Sequence, residues 1–154
     1  MTTPARPLIF LPLLVFIFSL SGMLPINAAD SPAPAAEAGT AIQWVAYDDA
    51  VDAASKQDKK VYLYFYADWC HYCKVMNSKT FVSEQVITRL NDDFIPVRIK
   101  MKDQARVAEQ FNVQGVPSSW FLENTGERIG AKPGYLPPEQ FLDLLNFVTE
   151  EKYK

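Results

Sequence analysis

The segment from Val61 to Ala67 reads VYLYFYA and contains only β-branched, aromatic and aliphatic side chains. An unbroken apolar run of this kind is typical of a central strand that is buried on both faces of a sheet. Such a sheet needs helices on both sides, so the segment restricts the chain to an α/β arrangement. After Trp69 the apolar residues change to helical spacing, which indicates a junction between a strand and a helix at this point.

The rest of the chain alternates between strand and helix patterns. The predicted strands cover residues 41–45, 61–67, 94–101, 118–122 and the region of Arg128 and Ile129. The predicted helices begin at Asp48 or Asp49, after Trp69, after Ser83, at Asp103 and after Pro137 and Pro138. The alternation of strands and helices in the first half of the domain predicts parallel strands. The turn at residues 124–126 indicates a hairpin that adds antiparallel strands. The sequence therefore predicts a single α/β domain with a mixed central sheet flanked by helices.

Residues 1–29 have the layout of a secretory signal peptide. A weakly positive start that includes Arg6 precedes an apolar run from Leu8 to Leu24, and two alanines follow at residues 28 and 29. We expect this segment to export the rest of the chain, with the periplasm as its destination. A membrane-anchored form is the alternative, although a run of about 17 residues is at the lower limit for a membrane span.

Residues 30–39 form a Pro/Ala-rich spacer that lacks the side chains needed to build a core. The folded domain is predicted over residues 40–154, and about 115 residues are sufficient for one hydrophobic core. The composition, with 49% hydrophobic and 21% charged residues, is that of a globular protein. A net charge of −3 without a cluster of Lys or Arg gives no reason to expect a nucleic-acid partner.

The chain contains two cysteines, Cys70 and Cys73, at the junction between the predicted central strand and the next helix. On a first helical turn, residues i and i+3 face the same way and are close enough for a disulfide. The sulfur of Cys70 would lie beside unpaired backbone N–H groups and the positive end of the helix dipole, which lower the pKa of a thiol. We therefore expect Cys70 to attack a substrate disulfide and Cys73 to resolve the mixed disulfide.

A structural bridge, a metal site and haem attachment each fit this cysteine pair poorly. A purely structural bridge would close a very short loop and would stabilise the fold less than a long-range bridge. A metal site would need more ligands, because the chain has no second CxxC motif and His71 is its single histidine. Covalent haem attachment requires histidine directly after the second cysteine, where the chain has Lys74. We expect neither a metal nor another cofactor, and the dithiol itself is the predicted redox group.

Residues 66–74 (YADWCHYCK) resemble the active-site signature of the thioredoxin superfamily, and Val116-Pro117-Ser118 resembles its cis-proline loop. Upstream, Ile42-Gln43-Trp44 and Lys60-Val61 are similar to the thioredoxin-like domain of periplasmic Dsb-type interchange proteins. The resemblance covers residues 40–154. It implies a thioredoxin fold and a thiol–disulfide oxidoreductase that favours reduction.

The resemblance also implies roles for the neighbours of the dithiol. A cis bond between Val116 and Pro117 would let Val116 offer its main-chain groups to an extended substrate peptide. Trp69 would shield the dithiol and shape the docking surface, with ordinary half-buried packing as the alternative. Tyr72 is expected to contact a partner or to cap the motif helix.

Three positions depart from the family pattern, and one of them is His71, because thioredoxins have Gly-Pro between their cysteines. Tyr64 stands where thioredoxins have a buried carboxylate, and Asn77 stands where Dsb-type relatives often have a second acid. We interpret Tyr64 as a core aromatic residue, because an unperturbed phenol titrates near pH 10. Asp68 is expected at the surface, so water, Lys74 or the sulfur partner is left to remove the proton of Cys73.

Three functions remain open. The leading one is an enzyme that exchanges disulfides of exported proteins, inclined to reduction and dependent on a membrane electron donor or acceptor. The second is a dedicated oxidant, with His71 setting the redox potential. The third is a non-enzymatic module that holds or chaperones extended peptides at Val116 and Pro117. The intact pair of cysteines counts against the third.

Replacing His71 with alanine distinguishes two interpretations of the imidazole beside Cys70. If the imidazole stabilises the Cys70 thiolate, His71→Ala raises the pKa of that thiol. The rate of alkylation measured against pH reports the pKa directly. An unchanged titration would identify His71 as a solvated side chain without influence on the sulfur.

Overall fold

The structure is a computed structural model, and it describes residues 41–154. The predicted signal segment at residues 1–29 and the spacer at residues 30–39 lie outside the described residues. The helices are α1 (Tyr47–Gln57), α2 (His71–Lys79), α3 (Glu84–Asp93), α4 (Ala105–Gln110) and α5 (Pro138–Thr149). The strands are β1 (Lys60–Tyr66), β2 (Phe94–Lys100), β3 (Ser118–Leu122) and β4 (Arg128–Pro133). Within residues 41–154, no helix has the length and apolar character that a membrane crossing requires.

The four strands form one sheet in the order β2-β1-β3-β4. Strand β1 is parallel to β2, with Leu63 opposite Val97, and antiparallel to β3, with Leu63 opposite Trp120. Strands β3 and β4 form the predicted antiparallel hairpin. The mixed sheet and the central position of β1 confirm the fold expected from the sequence.

The side chains of β1 alternate between two hydrophobic cores. Tyr62 and Tyr64 pack into a cluster with buried residues of α2, α3 and α5. Val61, Leu63 and Phe65 pack into a second cluster with buried residues of α1 and α4. All five side chains are fully buried. Burial on both sides explains why this strand has no polar face.

The strand predicted over residues 41–45 is wrong, because only Val45 pairs with the sheet, as an isolated bridge to Val97. The reason lies in Pro96 of the edge strand β2. Its carbonyl accepts a hydrogen bond from the backbone N–H of Val45 at 2.8 Å, but proline has no N–H with which to extend the ladder to Gln43. The side chain of Asn91 replaces the missing ladder by bonding Gln43 N and Ala41 O, each at 2.9 Å.

Three predicted boundaries also differ from the structure. Helix α1 begins at Tyr47 after Ala46, so Asp48 and Asp49 lie in its first turn and do not cap it. There they still interact favourably with the helix dipole. Helix α4 begins at Ala105 and not at Asp103, while β4 extends to Pro133 because its residues pair with the whole length of β3.

A polar network joins the start of β1 to the end of β3 and to the residues after α5. Lys60 Nζ lies 2.9 Å from a carboxylate oxygen of Glu123 and 3.1 Å from one of Glu151. The hydroxyl of Tyr153 donates to Glu123 at 2.6 Å. The hydrogen bond from Tyr153, assisted by Lys60, lowers the pKa of Glu123 below its ordinary value, although partial burial opposes the effect.

Replacing Glu123 with glutamine should reduce the dependence of stability on pH in the acid range. The pKa of Glu123 is lower in the folded chain than in the unfolded chain. Its stabilisation is therefore present above the unfolded value, about 4.3, and is lost as the pH falls through the folded value. Glu123→Gln should lower the free energy of unfolding by about 1 kcal/mol at pH 7 and by less at pH 3.

Urea denaturation at a series of pH values measures this effect. Glu109→Gln, which changes an exposed glutamate of α4, is the control and should reproduce the original pH profile. A profile for Glu123→Gln that runs parallel to the original would contradict the assignment.

Candidate active site

Cys70 and Cys73 form a disulfide at the junction between β1 and α2. Their Cα atoms are 5.2 Å apart, within the usual range for bridged cysteines. Cys70 is the N-cap residue of α2, and Cys73 lies in the first turn of the helix. Cys70 is 4% exposed and Cys73 is 1% exposed. Both cysteines are thus buried in the oxidised protein, and Cys70 is the slightly more exposed residue of the two.

A backbone N–H group in the first turn of α2 points at the sulfur of Cys70. The backbone N–H of Cys73 donates to Cys70 Sγ over 3.1 Å. It is one of the N–H groups that a helix leaves unpaired at its N-terminus, where the dipole is positive. When the disulfide is reduced, both effects favour a thiolate at Cys70.

The loop before β3 contains a cis peptide bond between Val116 and Pro117. Pro117 is buried, and its carbonyl accepts a hydrogen bond of 2.8 Å from the N–H of Gly134 at the end of β4. Val116 is half-buried and packs against both hydrophobic clusters, one of which includes Cys70 and Cys73. The loop therefore contacts the cluster that contains the disulfide.

The residues around the CxxC motif expose aromatic rings. Trp69 is 80% exposed and Tyr72 is 60% exposed. The half-buried packing considered for Trp69 is therefore wrong, because the residue lies in the turn between β1 and α2, outside the core. His71 is also exposed, and its ring meets Tyr72 edge-on at a centroid distance of 5.5 Å.

Tyr72 also contacts a residue that the sequence did not single out. Its ring stacks on Tyr135 with centroids 6.3 Å apart and planes 20° from parallel. Tyr135 follows β4, far from the motif along the chain. In the sequence, Tyr135 is an aromatic residue between the second hairpin strand and the prolines that begin the last helix, and this position was the only local sign of it. Its contact with Tyr72 is a tertiary contact, which local sequence does not predict.

Tyr64 lies directly behind the disulfide and is fully buried. Its hydroxyl donates to the backbone carbonyl of Cys73 at 3.3 Å and not to a sulfur. Burial raises the pKa of this phenol well above its ordinary value, so the hydroxyl stays protonated. This environment is that of a core aromatic residue and not of a proton acceptor.

The other candidate proton acceptors lie at the surface. Asp68 is exposed and pairs with Lys100, whose Nζ lies 2.8 Å from its carboxylate. Lys74 is exposed on α2. In the described part of the chain, no three His, Cys, Asp or Glu side chains form a group that could hold a metal.

Arg98 is a charged residue near α2 that the sequence analysis did not identify. Arg98 on β2 places its guanidinium over the rings of Trp44, at 5.2 Å, and Tyr66, at 4.8 Å. Arg98 and Asn77 are the polar residues that line a groove of about 500 Å³, whose other walls are apolar. An arginine between the apolar residues Val97 and Ile99 of a predicted strand was the available signal.

Comparison with known families agrees with this arrangement. The thioredoxin-like domain family matches residues 47–149, which include every element from α1 to α5. The chain belongs to this family. Its Cys70–Cys73 disulfide occupies the CxxC motif that the thioredoxin-like resemblance identified.

Two similar proteins have names that describe them. This chain is 32% identical over 98 residues to the thiol:disulfide interchange protein DsbD of Actinobacillus pleuropneumoniae, and the match covers 60% of this chain and 17% of the relative. It is 30% identical over 93 residues to the chloroplastic thioredoxin-like protein HCF164 of rice, covering 60% of this chain and 35% of the relative. The chain thus spans only a minor part of the length of either protein.

Solved structures show the same fold for the thioredoxin-like domain. A thioredoxin from Thermus thermophilus superposes with a TM-score of 0.65 at 24% identity, covering 71% of this chain and 88% of that one. A DsbH oxidoreductase superposes with a TM-score of 0.62 at 20% identity, covering 73% and 88%. At such identities the likeness concerns the fold alone.

Replacing Tyr64 with phenylalanine should weaken the fold slightly and leave disulfide exchange intact. The loss of the hydrogen bond to Cys73 should lower the free energy of unfolding by about 1 kcal/mol. The exchange rate should stay within about twofold, whereas loss of a general base would slow it by about 100-fold or more.

Tyr62→Phe is the matched control, because Tyr62 lies on the same face of β1 and bonds Ser119 at 3.1 Å, away from the disulfide. Urea denaturation and the rate of reaction with a disulfide reagent are the two measurements. A large loss of the exchange rate in Tyr64→Phe, but not in Tyr62→Phe, would identify the hydroxyl of Tyr64 as a catalytic group.

Proposed function

We propose that the chain reduces disulfides of exported proteins by dithiol–disulfide exchange at Cys70 and Cys73. The hydrogen bond of 3.1 Å from Cys73 N to Cys70 Sγ is the observation that carries this proposal. A sulfur that caps a helix and accepts this bond is suited to act as a thiolate nucleophile. The greater burial of Cys73 suits the resolving role.

The reaction proceeds in two exchanges. The Cys70 thiolate attacks one sulfur of the substrate disulfide, forms a mixed disulfide and releases the other sulfur as a thiolate that takes up a proton. Cys73 then loses its proton and attacks Cys70 Sγ. The Cys70–Cys73 bond forms, the bond from Cys70 to the substrate breaks, and the second substrate sulfur leaves and is protonated. The substrate gains the two electrons that the dithiol loses.

The surroundings of the disulfide support binding of an extended peptide. Val116 precedes β3, so its main chain lies outside the sheet ladder and is available to a peptide strand. The cis bond to Pro117 turns the backbone at this point. The exposed rings of Trp69 and Tyr72 offer apolar contact to side chains that flank the substrate cysteine.

Continued reduction requires a supply of electrons. If the predicted signal at residues 1–29 exports the chain, the oxidised dithiol must be reduced outside the cytoplasm, and we expect a membrane thiol–disulfide partner to do so. The similarity to a protein named for thiol:disulfide interchange supports this class of partner. The dedicated oxidant is the second candidate, because His71 is exposed beside Cys70.

Replacing Cys73 with alanine should trap the exchange at its midpoint. Without the resolving thiol, mixed disulfides between Cys70 and the substrate should accumulate and should be released by a reducing agent. Non-reducing electrophoresis of the full chain after reaction with a disulfide-containing protein measures the adduct. Cys70→Ala is the matched control and should trap little.

Equilibration of the unaltered chain with glutathione measures the redox potential of the Cys70–Cys73 pair, which decides whether the chain reduces or oxidises its substrates. A potential near −270 mV indicates a reductase and one near −120 mV an oxidant. Failure of Cys73→Ala to form any adduct would overturn exchange at this site and favour the non-enzymatic peptide-binding module.

A further inference from the structure

The groove lined by Arg98 and Asn77 contains a single charge. Its volume is about 500 Å³, and no acidic side chain belongs to its lining. Arg98 takes part in none of the ion pairs among residues 41–154, and its buried Nε has no hydrogen-bond partner in this range. Within the described residues, the groove therefore presents a cation that no anion neutralises.

Two aromatic rings hold the guanidinium of Arg98 in position. It lies over Trp44 at 5.2 Å and over Tyr66 at 4.8 Å. An aromatic ring attracts the charge but accepts no ordinary hydrogen bond, so the N–H donors of the guanidinium still need an acceptor. A carboxylate is the group that matches these donors best, because both of its oxygens can accept from one guanidinium.

The apolar walls of the same groove are incompletely covered by residues 41–154. Val82, which follows α2, is 62% exposed, and Trp44 is half-buried. Removal of apolar surface from water is favourable. A segment that combines small apolar side chains with one carboxylate therefore matches both the walls and the cation of the groove.

The first residue that the structure describes, Ala41, forms part of the wall of this groove. The side chain of Asn91 fixes this point by accepting a hydrogen bond from the N–H of Gln43 and donating one to the carbonyl of Ala41, each at 2.9 Å. The spacer at residues 30–39 is joined to Ala41 through Thr40. The chain itself thus brings this spacer to the groove.

The spacer has the chemistry that the groove requires. Residues 30–39 (DSPAPAAEAG) combine small apolar residues with two carboxylates, Asp30 and Glu37, and contain no basic residue. Glu37 is four residues before Ala41, and a chain of this length spans up to about 14 Å. Gly39 lies between them and suits a reversal of the chain. Because a shorter tether gives a higher effective concentration, Glu37 is favoured over Asp30 as the partner of the cation.

We propose that residues 30–39 dock in this groove, with the carboxylate of Glu37 paired to the guanidinium of Arg98. The alanine and proline side chains of the spacer cover Val82 and Trp44, and the ion pair fixes the register of the docked segment. The inference is independent of the exchange reaction, because no step of that reaction uses this pairing.

Weak contacts are sufficient for such docking because the segment is tethered beside its site, where its effective concentration is high. The charge of Arg98 is also screened less against aromatic rings than on an open surface. Docking has a consequence for the predicted membrane-anchored form. The docked residues no longer contribute to the length of the tether, so they hold the domain closer to the membrane.

Glu37→Gln tests the pairing from the side of the spacer and leaves the folded domain unaltered. In the full chain, phenylglyoxal should modify Arg98 about five- to tenfold faster in this variant, because modification requires the undocked state. Mass spectrometry of the peptide that contains Arg98 measures the rate, with Arg128 as the internal reference. Asp30→Asn is the matched control, since it removes the other carboxylate of the spacer and should leave the rate unchanged.

Arg98→Met tests the same pair from the side of the groove and keeps an unbranched side chain that can pack against the rings. A glutamate-specific protease should cut the full chain after Glu37 about five- to tenfold faster in this variant. Arg98→Lys keeps the charge and should be cut at a rate closer to the original. Arg128→Met removes an arginine that lies 4.7 Å over Phe111, in the other hydrophobic cluster, and should be cut at the original rate. If Arg98→Met does not fold, Arg98→Gln tests the same charge with a polar side chain.

The outcomes separate the docked spacer from other occupants of the groove. Faster modification in Glu37→Gln together with faster cleavage in Arg98→Met supports the docking. Equal modification rates in Glu37→Gln and the unaltered chain, or an equal acceleration by Asp30→Asn, would overturn the pairing. Protection of Arg98 that is lost on dilution of the chain would also overturn it, because the occupant would then be a second copy. None of these results requires disulfide exchange, so the proposed function is tested separately.

Discussion

The two-sided burial of β1 is the constraint from which the rest of the structure follows. Because neither face of this strand contacts water, helices must cover the sheet on both sides, and the strand must lie between two others. Its carboxyl end then leads into α2 through a short turn. Cys70 is placed at the helix N-terminus by this connection, so the chemistry of the sulfur depends directly on the packing of the strand before it.

Features encoded over short stretches could be predicted from the sequence. The apolar run of β1, the spacing of Cys70 and Cys73, and the hairpin turn are local signals, and each appears in the structure. The strand predicted over residues 41–45 failed because Pro96, next to the bridge partner Val97 on the edge strand, has no N–H with which to extend a ladder. That limitation is a property of the pairing and not of the segment itself.

The candidate site was predicted less completely than the fold for a related reason. Cys70 and Cys73 belong to one motif, but the groups behind and beside them come from other strands and loops. Arg98 faces Tyr64 only because β2 pairs with β1 in parallel, with Arg98 directly opposite Tyr64 in the register. Tyr135 meets Tyr72 only after the hairpin has folded back towards α2. Side-chain identity gave no indication of either contact.

The stacked pair of Tyr72 and Tyr135 has a consequence for how such a protein diversifies. This pair lies at the rim of the dithiol, whereas Arg98 lies on its inner side, and the two features share no residue. A substitution that separates the two rings therefore leaves the contacts of Arg98 with Trp44 and Tyr66 in place. The outer and the inner surroundings of the disulfide can change independently during evolution.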